Sequence, residues 1–144
     1  MSAHKPLEGV KVVELASFVA APTAGRMMAE MGADVIRVES TAGDPWRFYG
    51  ANCGLPITDE ENPLFDIYNL GKKDIQLNTK TPEGKEILFH LLDEADVFIT
   101  NNRLKSLVRS GLDYESLKDR FPKADLWPGN RIRTDRPGCG CTGI

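Results

Sequence analysis

Few side chains in this sequence are of a type that performs chemistry outright. His4 and His90 are its only histidines. His90 falls inside an apolar-periodic stretch with no carboxylate or cysteine partner in view, so it reads as a surface or boundary residue rather than a general base. Cys139 and Cys141 stand one residue apart, half of a metal-site pattern that no second pair completes, and no metal centre is expected. Glu39 closes a strand-like run that follows a small-residue loop, a place where an acid can bind a ribose hydroxyl. That loop reads "ASFVAAPTAG" and lacks the spaced glycines that let a backbone approach a pyrophosphate. A nicotinamide enzyme is disfavoured on this ground, and Glu39 reads as a structural carboxylate. Lys80, Lys105 and Arg109 can meet phosphates, although single cations on helices and strand ends are ordinarily just solvated.

The elements that must position these residues alternate along the chain. "GVKVVELA" (Gly9–Ala16) is a near-continuous apolar run and reads as a buried parallel strand. A helix follows, with Pro22 in its first turn, Met27, Met28 and Met31 on one face, and Gly32 where it stops. Ala33–Ser40 is a second strand. Thr41–Pro63 is rich in turn formers and reads as a long loop, followed by a short helix at Asp66–Leu70. Lys72–Asn78 alternates as a strand. Thr81 then caps a helix that has Pro82 at its first position, Glu83 in its first turn, and Ile87, Leu88, Leu91 and Leu92 on one face. Asp96–Asn101 is a strand, "NRLKSLVRSGL" a short helix ended by Gly111, and "DYESLKDRFP" another, capped by Asp113. This order implies an α/β fold, a Rossmann-like parallel sheet flanked by helices.

Composition narrows the function classes. The chain has 144 residues, 41% of them hydrophobic, enough for one real core. A net charge of −3 gives no support for nucleic-acid or membrane-surface binding. No apolar run is long enough for a membrane span, and no basic-then-apolar leader opens the chain. With three cysteines, a reducing cytoplasm is the expected setting.

The rhythm breaks at Ala124. Two helices have passed since the last strand, yet "DLWPGNRIRTDRPGCGCTGI" shows no strand pattern. Its four glycines, two prolines, three arginines and two cysteines fit no element. Read one base later, the degenerate codons for Asp125–Ile144 accommodate I-Y-G-Q-V-T-G-Y-G-L-T-G-P-D-A-D-A-P-G-F, a strand followed by a glycine-rich loop. The expected organisation is therefore a native part over 1–124 and an out-of-frame tail over 125–144.

The run "PLEGVKVVELASFVAAPTAGRMMAEMGADVIRVES…GDPWR", with "KKDIQLNTKTPEGKEIL" and "EADVFITNNRLKSLVRSGLDYESLKDRFPK" following in order, resembles the N-terminal part of the class III CoA-transferases. "PITDEENPLFDIYN" is most similar to the branch that moves CoA between 2-hydroxy acids and their enoyl-CoA products. The resemblance implies an acyl-CoA and a small carboxylic acid as substrates, no tightly bound cofactor, and a longer chain forming an interlocked homodimer. It implies an aspartate nucleophile lying beyond Ile144, so no catalytic residue is assigned and this chain alone is expected to be inactive. CoA contacts carry over to Ser17, Phe18, Val19 and Ala20, to Leu77, Asn78, Thr79 and Lys80, to Asn101, Asn102 and Arg103, and to Arg109. Ser17, Ser40 and Asn102 depart from residues that some family members have there (His, Arg and Phe), which touches the adenine pocket. The alternative is a non-catalytic CoA- or nucleotide-binding module. The frame reading has a direct check: the coding DNA after Ala124 should carry CTA or a similar codon for Leu126, and a codon incompatible with the shifted string removes the reading.

Overall fold

The computed structural model describes residues 4–58 and 60–128. Five strands form one parallel sheet: β1 (Lys11–Leu15), β2 (Asp34–Glu39), β3 (Lys73–Gln76), β4 (Val97–Thr100) and β5 (Asp125–Pro128). Their spatial order is β3-β2-β1-β4-β5. Among the described residues, the helices that connect them are α1 (Ala20–Glu30), α2 (Trp46–Tyr49), α3 (Pro63–Asn69), α4 (Pro82–Glu94), α5 (Leu104–Ser110) and α6 (Tyr114–Leu117). The order reverses beside β1, between β2 and β4, the kind of switch point where open α/β sheets receive ligands.

Alternation along each strand divides the core into two unlike halves. Val13, Leu15, Val38 and Phe98 face α4, α5 and α6, where Leu88, Leu92, Leu107, Leu117 and Phe121 complete an apolar cluster. Val12, Val35 and Ile99 face α1 through Ala21, Ala33 and Met28. Only Met28 of the three methionines packs inward. Met27 and Met31 are largely exposed, contrary to the single apolar face expected of them. The buried face of α1 is Ala21, Pro22 and Gly25 instead. A Cβ on Gly25 would lie 1.9 Å from Glu14 Oε2, so the helix rests directly on a buried carboxylate.

That carboxylate belongs to an ionic network under α1 and α3. Arg37 is fully buried on β2. Its Nη1 donates to Glu39 at 2.7 Å and to Asp74 at 2.9 Å, and its Nη2 donates to Asp44 at 2.5 Å. Arg47 grips Glu39 with Nε and Nη2 and reaches Asp74 at 2.7 Å. Lys72 sits 2.8 Å from Glu14 Oε2, with both side chains out of water. The Phe65 ring on α3 covers both guanidinium groups, with ring-centre distances of 5.0 Å to Arg37 and 3.8 Å to Arg47. Glu39 is thus the structural carboxylate its place in the sequence suggested.

Local signals hold at several ends. Thr81 accepts the Gly84 N–H and caps α4. Gly32 and Gly111 stop helices with φ of 104° and 67°. Asp113 occupies the N-cap of α6, but its carboxylate takes the Ser116 hydroxyl at 2.6 Å rather than a backbone N–H. Within the expected loop Thr41–Pro63, α2 and a 3₁₀ turn over Gly50–Cys53 form. Asp44 starts α2 by accepting the Trp46 N–H at 2.9 Å, and the indole N–H donates to the Leu64 carbonyl.

A strand forms after Ala124, where one is due by the alternation of elements and where the residues show no strand pattern. Asp125–Pro128 pairs in parallel with β4, Val97 opposite Asp125. The Asp125 N–H donates to the Asp96 carbonyl at 2.8 Å, and Leu126 is buried in the cluster beneath α4–α6. The free edge of β4 offers backbone groups that any extended segment satisfies, and one apolar side chain suffices to seat it. Pro128, unable to donate, stands at the end of this edge strand. Residues 129–144, with Cys139 and Cys141, lie outside the described residues.

The network makes a pH prediction. Burial alone raises the Glu39 carboxyl, but the Arg47 hydrogen bonds, the Asp44 N–H and Arg37 outweigh it and bring the pKa down to about 2. A carboxyl depressed in the folded state contributes stability above its unfolded value of 4.5, and loses it as pH falls toward 2. The stability difference between the parent and Glu39→Gln should therefore shrink by about 2 kcal/mol between about pH 5 and pH 3. Urea unfolding at the two pH values measures it, and an unchanged difference contradicts the network.

Candidate functional site

The loops at the carboxyl ends of the strands converge on a cleft of about 510 Å³. It lies on the α4–α5 side of the sheet, with Leu15, Leu107 and Leu112 as its apolar floor. Thr79 and Lys80 enter from the β3–α4 turn, Asn102 from the end of β4, and Ser106, Arg109 and Ser110 from α5. Lys85 reaches in from α4, its ammonium 4.0 Å from where a Cβ on Gly111 would lie. Among the described residues, three cations line the cleft and no carboxylate does. Such a site favours a polyanion and offers no acidic nucleophile of its own.

Of the residues proposed from sequence, Thr79, Lys80, Asn102 and Arg109 come together here. Leu77 instead fills the apolar core, 8% exposed. Asn78 shapes the turn: its carbonyl accepts from Thr81, and its side chain accepts the Lys80 N–H at 3.2 Å. Asn101 clasps the neighbouring loop. Its Oδ1 accepts the Ser17 N–H at 3.1 Å and its Nδ2 donates to the Ser17 carbonyl at 2.7 Å. Val19 is the N-cap of α1 and Ala20 its first residue. Phe18 projects from this loop, half-exposed, with its ring edge-on to Trp46 at 6.1 Å. Arg103 is the N-cap of α5, exposed to solvent.

Sequence reasoning passed over Lys85, Ser106 and Ser110. Lys85 was visible only as part of a helix start. The other two carried a signal, since Ser106, Arg109 and Ser110 at i, i+3 and i+4 share one helical face. The Ser110 hydroxyl donates back to the Ser106 carbonyl at 2.9 Å, which leaves its oxygen free to accept.

Elsewhere, His90 is exposed on α4, beside a smaller cavity of about 220 Å³ at the amino ends of the strands. Cys53 is exposed, with no disulfide partner among the described residues. Among the described residues, no three His, Cys, Asp or Glu side chains are grouped to hold a metal. No helix among them is long and apolar enough to cross a membrane.

Parallel sheet, flanking helices and a cation-lined cleft at the carboxyl ends of the strands define an α/β protein of the open-sheet class. The family model for CoA-transferase family III matches residues 7–124, and the chain belongs to that family. It is 54% identical over 115 residues to the cinnamoyl-CoA:phenyllactate CoA-transferase of Clostridium sporogenes, covering 80% of this chain and 28% of that protein. It is 47% identical over 116 residues to the (R)-2-hydroxy-4-methylpentanoate CoA-transferase of Clostridioides difficile, covering 81% and 29%. Among solved structures, a CaiB/BaiF family protein from Brucella suis superposes with a TM-score of 0.78 at 41% identity, over 85% of this chain and 32% of that one. The chain thus spans less than a third of the length of these relatives.

The turn that carries Thr79 and Lys80 depends on Gly84. A Cβ there would lie 2.2 Å from the Asn78 carbonyl oxygen. Gly→Ala inside a helix ordinarily stabilises by about 0.5–1 kcal/mol. Gly84→Ala should instead destabilise by about 1–3 kcal/mol through overpacking and displace Asn78–Lys80. Urea unfolding and backbone amide shifts check the reversed sign.

Proposed function

We propose that this chain forms the CoA-receiving part of a class III CoA-transferase that moves CoA between an acyl-CoA and a small carboxylic acid of the 2-hydroxy acid class. The observation that carries the reading is the cleft lined by Lys80, Lys85 and Arg109, with no carboxylate among the described residues that line it. CoA bears a pyrophosphate and a ribose phosphate, which charge-assisted hydrogen bonds from such cations suit. Two 2-hydroxyacyl enzymes at 54% and 47% identity support the substrate class.

In this reading the nucleophile is an aspartate of the longer enzyme, C-terminal to Ile144. Its carboxylate attacks the thioester carbonyl, CoA thiolate leaves, and a mixed anhydride forms. The thiolate, still held by its nucleotide end, attacks the aspartyl carbonyl of the anhydride and releases the first acid. The resulting aspartyl-CoA thioester is attacked by the incoming carboxylate, thiolate leaves again, and its attack on the new acyl carbonyl frees the aspartate and the product thioester. The working enzyme is a cytoplasmic interlocked homodimer without a tightly bound cofactor. Residues 125–144 are an out-of-frame tail in the same reading; the family match ends at residue 124.

Two outcomes follow. The chain of 144 residues should show no exchange between cinnamoyl-CoA and phenyllactate, and turnover by it would refute the location of the nucleophile. Titration calorimetry should find CoA bound, with Lys85→Met and Arg109→Met each weakening it about tenfold and lowering its salt dependence. Unchanged affinity in both variants removes the cleft from the site.

A further inference from the structure

Phe18 is the one residue besides glycine with a positive φ, 62°, among the described residues. A β-carbon in the left-handed region crowds its own backbone, so the surroundings must hold it there. The partner that does so is Asp44. Both of its carboxylate oxygens lie 3.2 Å from the Phe18 nitrogen. Oδ1 also accepts the Trp46 N–H at 2.9 Å, and Oδ2 accepts from Arg37 at 2.5 Å. The Asp44 N–H in turn donates to Glu39. Every group facing the carboxylate is therefore a donor. An amide of the same shape would turn an NH₂ against either Arg37 or the loop. Across the loop, Asn101 holds Ser17 through both of its backbone groups, so Ser17–Phe18 is fastened at two successive residues.

We propose that Asp44, locked by Arg37, is a positioning residue that fixes the loop between β1 and α1 in its ligand-receiving shape by holding Phe18 left-handed. The assignment rests on the reading that this loop meets CoA. Asp44 touches no ligand in this account. It makes the bound shape the resting shape, so binding does not have to select a minor conformer.

Amide hydrogen exchange and CoA titration on the full chain test this together. In Asp44→Asn, Phe18 amide protection should fall about tenfold while the central strands keep theirs, and the CoA Kd should rise about tenfold as the competent shape becomes a minority. Phe18→Gly adopts positive φ freely, and alone it measures what the ring itself gives to CoA binding. Added to Asp44→Asn, it should bring the Kd to within about threefold of that single variant. Should Asp44→Asn fail to fold, Phe18→Val leaves the ionic core untouched. A β-branched residue resists the left-handed region, so it should bind CoA about tenfold more weakly than Phe18→Gly. An unchanged Phe18 amide in Asp44→Asn, a double variant far weaker than Phe18→Gly alone, or equal affinity in Phe18→Val and Phe18→Gly overturns the assignment. If the parent binds no CoA, the ligand reading fails and the positioning role with it; the exchange data then report separately whether Asp44 still holds Phe18.

Discussion

A guanidinium with no access to water governs one half of this molecule. Arg37 lies on β2, and a charge buried there needs partners: its Nη1 and Nη2 are hydrogen-bonded, while Nε makes no hydrogen bond and stands 3.7 Å from Glu14. Its partners come from β1, β2, β3 and the segment after β2, in the form of Glu14, Glu39, Asp74 and Asp44. Each must arrive in register for the others to be satisfied. Removing one member of a buried set of this kind typically costs about 3–5 kcal/mol. The same requirement explains why α1 meets the sheet through Gly25 and alanines: larger side chains would stand where Glu14 and Lys72 are. Burial raises the Glu14 carboxyl, opposed by Lys72, and lowers the Lys72 ammonium, opposed by Glu14. Desolvation disfavours both charges, and their 2.8 Å contact keeps the pair together.

The other face of the sheet is built differently. Leu88 and Leu92 from α4, Leu107 from α5, and Leu117 from α6 meet Val13, Val38 and Phe98 without a charge among them. This apolar half carries the cationic cleft on its upper rim, while the ionic half reaches the same rim through Asp44. The loop after β1 lies between the two and takes its shape from both, through Asn101 on one side and Asp44 on the other.

β5 illustrates a limit of pattern reading. Strand pairing is a backbone property, and the exposed edge of β4 imposes it on whatever extended segment follows Phe121. Of the side chains that "DLWP" brings, Leu126 meets the apolar cluster. The pairing would be the same for the shifted string I-Y-G-Q, so a formed strand is compatible with either reading frame.

The sequence by itself determined the alternation of strands and helices, the Thr81 cap, the glycine stops, and the family to which the chain belongs. Periodicity, caps and turn residues act over one or two helical turns, so they are legible locally. The family resemblance singled out Thr79, Lys80, Asn102 and Arg109, four residues that line one cleft at the carboxyl ends of the strands. Only the tertiary structure decided that Leu77 is core, that Asn101 is a clasp, that Met27 and Met31 face water, and that Lys85 joins the cleft. It alone revealed Arg37 and Asp44, separated by seven residues and joined at 2.5 Å, as the link between the ionic core and the loop. A charged letter in a strand gives no indication of its partners, since pairing of a buried charge is settled by groups that the fold brings in from distant parts of the chain.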